Sequence, residues 1–369
     1  MARLHDLYHQ HGQSPWLDNL RRGWISSGEL QTWIDRGVRG LTSNPTIFAK
    51  AMMETSDYDG DLAQLARSGA SVDDAYWDLV VSDISQAVGL LRPVHDASGG
   101  EDGFVSVEVS PALANDEQAT VTAARELGDR IGAPNLYIKV PATRAGVSAA
   151  RTLISEGRSV NVTLIFSLQR YRDVMKAYLE GLEANPAEDL SAVSSVASFF
   201  VSRVDVEVDR RLDGLGTGRA AQLRGRAAVA QAQLAYQAFA EVFAGPRWEA
   251  LAARGARLQR PLWASTSTKD PSYSDTLYVD NLIGPHTINT LPDATLVAFE
   301  EHGTLGRTVD ANSAAAAQVI AELGALGIDI EEVADQLEEE GVSAFAKSFD
   351  EVLAALGDRA EAFAPTDRS

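Results

Sequence analysis

Phe104-Val-Ser-Val-Glu-Val-Ser110, Leu136-Tyr-Ile-Lys-Val140 and Val160-Asn-Val-Thr-Leu-Ile-Phe166 are three short apolar runs with a common oddity. Each is interrupted at every second position. In a strand, alternate side chains face opposite sides, so Val105, Val107 and Val109 share one face while Ser106, Glu108 and Ser110 share the other. Leu136, Ile138 and Val140 oppose Tyr137 and Lys139 in the same way, and Val160, Val162 and Leu164 oppose Asn161 and Thr163. Helical stretches follow the runs, at Asp116–Ile131, Ala145–Glu156 and Leu168–Leu182, the last with Ser167 placed as its N-cap. Helical crossovers signal a parallel sheet covered on its outer side. Such strands ordinarily read as continuous apolar runs. Alternation beneath helices therefore points to a closed barrel whose interior is polar near one end. An antiparallel sheet with one wet face would also alternate, but the intervening helices argue against it.

Beyond these three runs the chain brings the candidate strands to eight: Pro15–Asp18, Val38–Ser43, Phe104–Val109, Leu136–Val140, Val160–Phe166, Val196–Val201, Leu262–Thr266 and His286–Thr290. Eight strands with helices in nearly every gap predict an α/β fold, a single (β/α)8 TIM barrel across residues 1–369. An open doubly wound sheet would carry a Gly-rich phosphate loop after its first strand, and none is present. Gly214-Leu-Gly216-Thr-Gly218 has no strand before it and reads as a loop between helices. A helical insertion of two or three helices is expected at about 204–255, between strands six and seven, and a helical tail at about 330–357. The Glu338-Glu-Glu340 run in that tail reads as a solvated face.

Composition narrows the function classes. The formal net charge of −20 repels nucleic acid and acidic lipid, so neither is an expected partner. A phosphorylated metabolite would need its own local cations. Cysteine is absent, which removes disulfides, thiolate metal sites and cysteine nucleophiles. Residues 1–15 are polar and carry His5, His9 and His11, so a secretory signal is not expected. No apolar run has the length of a membrane span. The expectation is a soluble, cytoplasmic protein. Lysine occurs only at 50, 139, 176, 269 and 347 in a chain that prefers arginine. Lys50, Lys176 and Lys347 lie in helix-like polar stretches and read as surface residues; Lys139 and Lys269 do not.

In a (β/α)8 barrel the reactive end is the carboxyl end of the strands. Asp18, Asn44, Glu108, Lys139, Asn161 and Thr163 all sit late in their strands and would converge there. An amine enclosed among strands loses hydration, which favours its free, nucleophilic form. A free amine adds to ketones, and the resulting iminium stabilises a carbanion made by breaking the neighbouring carbon–carbon bond. Asp18 and Glu108 can move protons, and Asn44, Asn161 and Thr163 offer neutral hydrogen bonds to sugar hydroxyls. A structural Lys139–Glu108 ion pair is the bland alternative. The six histidines are scattered without carboxylates at ligand spacing, so no metal is expected. His286, Asn289 and Tyr137 read as packing residues.

Three segments resemble the transaldolase family. Thr42-Ser-Asn-Pro-Thr46 is similar to the segment closing its second strand, Ile138-Lys-Val-Pro141 to the strand with its Schiff-base lysine, and Asn161-Val-Thr-Leu-Ile-Phe-Ser167 to its fifth strand. The matches run from Trp16 to about Arg203, and the insertion and tail place the chain with the larger members. The resemblance implies a cofactor-free transferase of the non-oxidative pentose phosphate pathway. It would move a dihydroxyacetone unit from sedoheptulose 7-phosphate or fructose 6-phosphate to glyceraldehyde 3-phosphate or erythrose 4-phosphate. It implies Lys139 as nucleophile, Asp18 as acid/base on the C4 hydroxyl, and Glu108 with Thr163 as holders of a proton-transferring water. Asn44 and Asn161 would hold donor hydroxyls. Ser198-Phe-Phe200-Val-Ser-Arg203 is similar to the sixth-strand segment in which the serine contacts the dihydroxyacetone part and the arginine holds phosphate. The second phosphate-binding arginine of many members falls on Ser267 here, and Lys269 with Ser265 is expected to supply the missing cation. The rivals are a fructose 6-phosphate aldolase, which tends to carry Gln at position 108 and Tyr at position 200, and a non-catalytic barrel with a binding role. The sequence is silent on monomer against homodimer.

Overall fold

A computed structural model describes residues 3–363. Eight parallel strands close into a barrel in chain order: β1 Gln13–Leu17, β2 Leu41–Thr42, β3 Val105–Glu108, β4 Leu136–Pro141, β5 Val160–Ile165, β6 Ser195–Phe200, β7 Arg260–Ala264 and β8 Thr287–Leu291. β8 returns to β1, with Trp16 opposite Thr290. All eight expected strands are present, and every pairing is parallel, so the wet antiparallel sheet is excluded. Register places Glu108 beside Lys139 and Lys139 beside Asn161. Residues side by side in a sheet point the same way, so these three share one inward layer.

Capping side chains set where several helices begin, and hence where the strands must stop. Asn44, Asp116, Thr143 and Ser167 each accept the N–H three residues on, at 2.9–3.0 Å. Ser167 caps its helix as expected, and that helix runs Leu168–Ala184.

Three expectations need correction, the last of them in the tail. Four helices, not two or three, fill the gap between β6 and β7: Ser202–Leu215, Gly218–Ala221, Ala227–Val242 and Pro246–Ala252. Gly216 in the left-handed region ends the first, and Thr217 caps the second, so the glycine-rich stretch is an interhelical joint. The alternation in β5 also breaks. The β5–β6 register slips between Val162 and Ile165, with Leu164 at φ +60°, as in a bulge. Ile165 then takes the outward position expected of Leu164. Leu164 instead meets the tail helix at Gly341, where an added Cβ would come 3.0 Å from a Leu164 methyl.

The tail is one continuous helix, Ile330–Phe363, longer than expected because Gly357 does not end it. It crosses the carboxyl end of the barrel and buries Phe345 and Phe349. No single helix among the described residues is long and apolar enough to cross a membrane.

Candidate active site

The carboxyl ends of the strands open into a pocket of about 310 Å³. Lys139 reaches its floor from β4 and is 4% exposed. Its Nζ donates to the Ser43 carbonyl at 3.2 Å and stands 3.2 Å from Glu108 Oε2. The second contact is an ion pair without good hydrogen-bond alignment, because Oε2 has no directed donor. Burial pushes the Glu108 carboxyl above the ordinary carboxylate range; the Lys139 charge opposes this and nearby Asp18 adds to it. A raised carboxyl beside an ammonium is a suitable place to pass the ammonium's proton.

Asp18 follows β1 and lines the same pocket. Burial raises its pKa, with Lys139 the largest opposing influence and a hydrogen bond from Thr42 the next. Thr42 Oγ1 donates to Asp18 Oδ1 at 2.7 Å and lies 2.6 Å from Thr290 Oγ1, which orients the carboxyl. Two carboxyls and one amine thus meet in one desolvated volume. That is a recurring arrangement for proton transfer.

The neutral polar residues divide into two groups. Asn44, Thr163 and Ser198 line the pocket. Asn44 uses its Oδ1 to cap the Pro45–Glu54 helix at Ile47 N, leaving its amide N–H groups for a ligand. Thr163 Oγ1 is buried without a hydrogen-bond partner among the described residues. Asn161 is not at the surface of the pocket. Its Nδ2 donates to Ser106 Oγ at 3.1 Å, and its Oδ1 accepts from Ser198 Oγ at 2.7 Å, so it steadies Ser198 from beneath. Glu108 likewise borders the pocket only through Lys139; its other side faces a small cavity lined by Tyr76 and Phe349.

Arg203 and Lys269 stand on the β6–β7 side of the pocket with Ser265 and Ser267. Among the described residues Arg203 has no carboxylate within ion-pair distance; its guanidinium lies 5.3 Å from the Phe200 ring centre. Burial lowers its pKa. Burial also lowers that of Lys269, and the like charge of Arg203 lowers it further. Lys269 Nζ donates to Ser267 Oγ at 2.6 Å. Two cations that repel one another, neither in an ion pair among the described residues, are an arrangement that can accept an anion.

Several contributors were not singled out from sequence. Lys50, read there as an ordinary surface lysine, lines the pocket with Arg21 on the wall across β1 and β2. Its spacing from Thr46, one helical turn, was the available signal, since Thr46 also lines the pocket. Phe345 comes from the distant tail, its ring centre 5.8 Å from Lys139 Nζ. His286 lies outside the site: it precedes β8 at the opposite end of the barrel, where its N–H donates to Gly12 O. Tyr137 is interior packing, stacked on Phe104 with ring centres 4.1 Å apart.

With this geometry in hand, comparison with known proteins is informative. The family model described as transaldolase/fructose-6-phosphate aldolase matches residues 15–356. A transaldolase of Saccharopolyspora erythraea is 52% identical over 346 residues, covering 93% of each chain. Transaldolase 1 of Streptomyces coelicolor is 52% identical over 349 residues, or 94% of this chain and 92% of the relative. A transaldolase of Mycobacterium ulcerans is 51% identical over 358 residues, 96% of both chains. The polar pocket built around Lys139 therefore sits in a chain that belongs to the transaldolase/fructose-6-phosphate aldolase family.

Proposed function

We propose that this chain is a transaldolase, with Lys139 as its Schiff-base nucleophile and sugar phosphates as its substrates. The observation that carries the reading is the contact at the pocket floor. A buried amine lies 3.2 Å from a carboxylate whose burial makes it a willing proton acceptor. Proton transfer from Lys139 to Glu108 frees the amine. The amine attacks the C2 ketone of fructose 6-phosphate or sedoheptulose 7-phosphate, and loss of the C2 oxygen as water leaves an iminium. Glu108 returns its proton to that departing oxygen through a water held with Thr163.

Asp18 then takes the proton of the C4 hydroxyl. The C3–C4 bond breaks, its electron pair moves into the iminium, and a phosphorylated aldehyde leaves. The enamine stays on Lys139 beneath Phe345 and Phe200. A second aldehyde, erythrose 4-phosphate or glyceraldehyde 3-phosphate, accepts C3, and Asp18 protonates the new alkoxide. Hydrolysis of the iminium restores the amine. Asn44 and Ser198 hold the dihydroxyacetone hydroxyls, Asn161 fixes Ser198, and Arg203 with Lys269 and Ser265 holds the phosphate. General acid–base help of this kind contributes about 10²–10⁴-fold.

The pocket reverses the charge of the chain around it. Arg21, Lys50, Lys139, Arg203 and Lys269 line it against Asp18 and Asp293, in a protein of net charge −20. That reversal supports an anionic substrate. The absence of cysteine and the lack of a membrane-crossing helix among the described residues are compatible with a cytoplasmic site of action.

Borohydride reduction in the presence of fructose 6-phosphate, followed by peptide mapping, tests the assignment. The expected adduct is on Lys139, and an adduct on Lys50 or Lys269 would overturn it. Measuring free dihydroxyacetone without an acceptor separates transfer from simple aldol cleavage; retention on the enzyme is expected.

A further inference from the structure

The helix Ser202–Leu215 begins one residue ahead of Arg203. Ser202, Asp205 and Asp209 lie at i, i+3 and i+7, along one face of that helix. All three are buried, at 0%, 1% and 6% exposure. None of them lines the substrate pocket, and the mechanism above gives them no task.

Each is bonded to the segment 265–278 that follows β7. Ser202 Oγ lies 2.8 Å from Ser265 Oγ, and Ser202 N donates to Ser265 O at 2.9 Å. Tyr278 OH donates to Asp205 Oδ2 at 3.0 Å, and Tyr273 OH donates to Asp209 Oδ2 at 2.7 Å. Lys269 lies between these ties. The helix that presents Arg203 is therefore also the rail on which the Lys269 segment is mounted.

A second cavity, of about 420 Å³, borders Lys269 on its other side and is bounded by Asp205, Asp209, Asp213 and Asp270. Unpaired, those acids would draw a long flexible ammonium away from Arg203. They are paired instead. Asp209 Oδ1 accepts the Gly225 N–H at 2.9 Å while Oδ2 holds Tyr273. Arg224 binds Asp270 at 2.9 Å and Asp213 at 2.8 Å. Gly225 has φ +66°, and a Cβ there would come 2.8 Å from the Tyr273 ring, so glycine makes the seat for that ring.

We propose that Asp209 and Tyr273 are positioning residues: they brace the segment carrying Lys269 against the Arg203 helix and thereby set the pocket's preference for aldehydes bearing a terminal phosphate. This rests on the reading that Arg203 and Lys269 hold phosphate. It gives the helical insertion a task in substrate choice.

The test is Tyr273→Phe, which keeps the ring and removes the bond. Glyceraldehyde 3-phosphate and unphosphorylated glyceraldehyde are compared as acceptors, with inorganic phosphate as competitive inhibitor. Misplacing the ammonium by about 1 Å is expected to raise both the KM for the phosphorylated acceptor and the Ki for phosphate about tenfold. The kcat, and the KM for glyceraldehyde, are expected to stay within about twofold, because neither depends on that ammonium. Asp209→Asn in the otherwise unchanged chain, which can still accept the Gly225 N–H and can donate its amide to the Tyr273 oxygen, should show little of this loss. Lys269→Met is run in parallel. If it leaves the phosphorylated acceptor unaffected, the phosphate reading itself falls. If Lys269→Met impairs that acceptor but Tyr273→Phe does not, or Tyr273→Phe impairs both acceptors equally, the brace is overturned.

Discussion

Replacing Asp205 with Asn should stabilise this protein at pH 8 by about 3 kcal/mol more than it does at pH 5. Asp205 is 1% exposed, and burial pushes its carboxyl from the ordinary 3.8 up to about 7, against hydrogen bonds from the Ala228 N–H and the Tyr278 hydroxyl. Its pKa is raised, so the stability it confers is complete below the unfolded value. That stability is lost as pH rises from 3.8 through about 7. Within that window the unfolded chain has released the proton and the folded one has kept it, and stability falls by about 1.4 kcal/mol per pH unit. Between pH 5 and pH 8 the wild type should lose about 3 kcal/mol at this site. The Asn variant does not titrate there and keeps its bonds to Ala228 and Tyr278. Every other carboxylate is common to both proteins and cancels in the difference. Over 369 residues the change corresponds to roughly 4 °C in Tm. Urea unfolding of both proteins at each pH, extrapolated linearly, measures it. Parallel stability curves across the whole range would refute the argument.

Asp18→Asn keeps the volume and an acceptor for Thr42, so folding should be preserved while kcat falls about 10²–10⁴-fold; steady-state kinetics alongside circular dichroism checks both, and a loss under tenfold would count against Asp18 as the base. Lys50→Ala should reduce kcat/KM about twofold to fivefold at low ionic strength, with kcat unchanged and the difference gone at high salt; a salt-independent defect would mean that Lys50 contacts bound substrate. At Gly341 an added Cβ would meet Leu164 at 3.0 Å and Arg203 Nη1 at 3.6 Å. Alanine should therefore be near neutral, its helix propensity of about 1 kcal/mol offsetting the crowding, whereas valine should cost about 1–3 kcal/mol in urea unfolding.

The barrel was legible because its evidence is local and repeated. A two-residue period that recurs between helices needs no knowledge of distant contacts, and it placed Glu108, Lys139 and Asn161 in a common inward layer. It failed at Leu164, because periodicity assumes a uniform step and the side chain displaced by the bulge packs at Gly341, 177 positions along the chain. Phe345 was invisible for the same reason: nothing in a helical tail says which strand end it will cover. Lys50 is exposed, as a charge on a helix usually is, and only the closed barrel brings that helix to the rim of the pocket. The joint at Gly216–Thr217 carried its own signals, and its reading as a loop between helices holds, with a left-handed stop at Gly216 and a cap at Thr217.

Buried charge does not by itself distinguish the working end of this barrel from the inert one. Asp102 at the amino end is 0% exposed, as deeply enclosed as any residue near the pocket. It accepts hydrogen bonds from four side chains: Ser14 at 2.7 Å, Trp16 at 3.2 Å, Arg39 at 2.8 Å and Arg260 at 3.2 Å. Such a carboxylate is saturated with donors, so protonation would disrupt several bonds at once and it has no lone pair to spare for a substrate. Glu108 has one ammonium nearby and no directed donor on Oε2, and Asp18 has a single hydroxyl. Leaving a buried carboxylate under-bonded costs free energy, typically about 1–3 kcal/mol for each missing hydrogen bond. A barrel that satisfies its acid so fully at one end has the means to do so at the other. The shortfall at Asp18 and Glu108 is what the proposed mechanism requires: on that reading these oxygens are kept available for protons that arrive with the substrate, and the well-bonded amino end supplies the rigidity that holds them so.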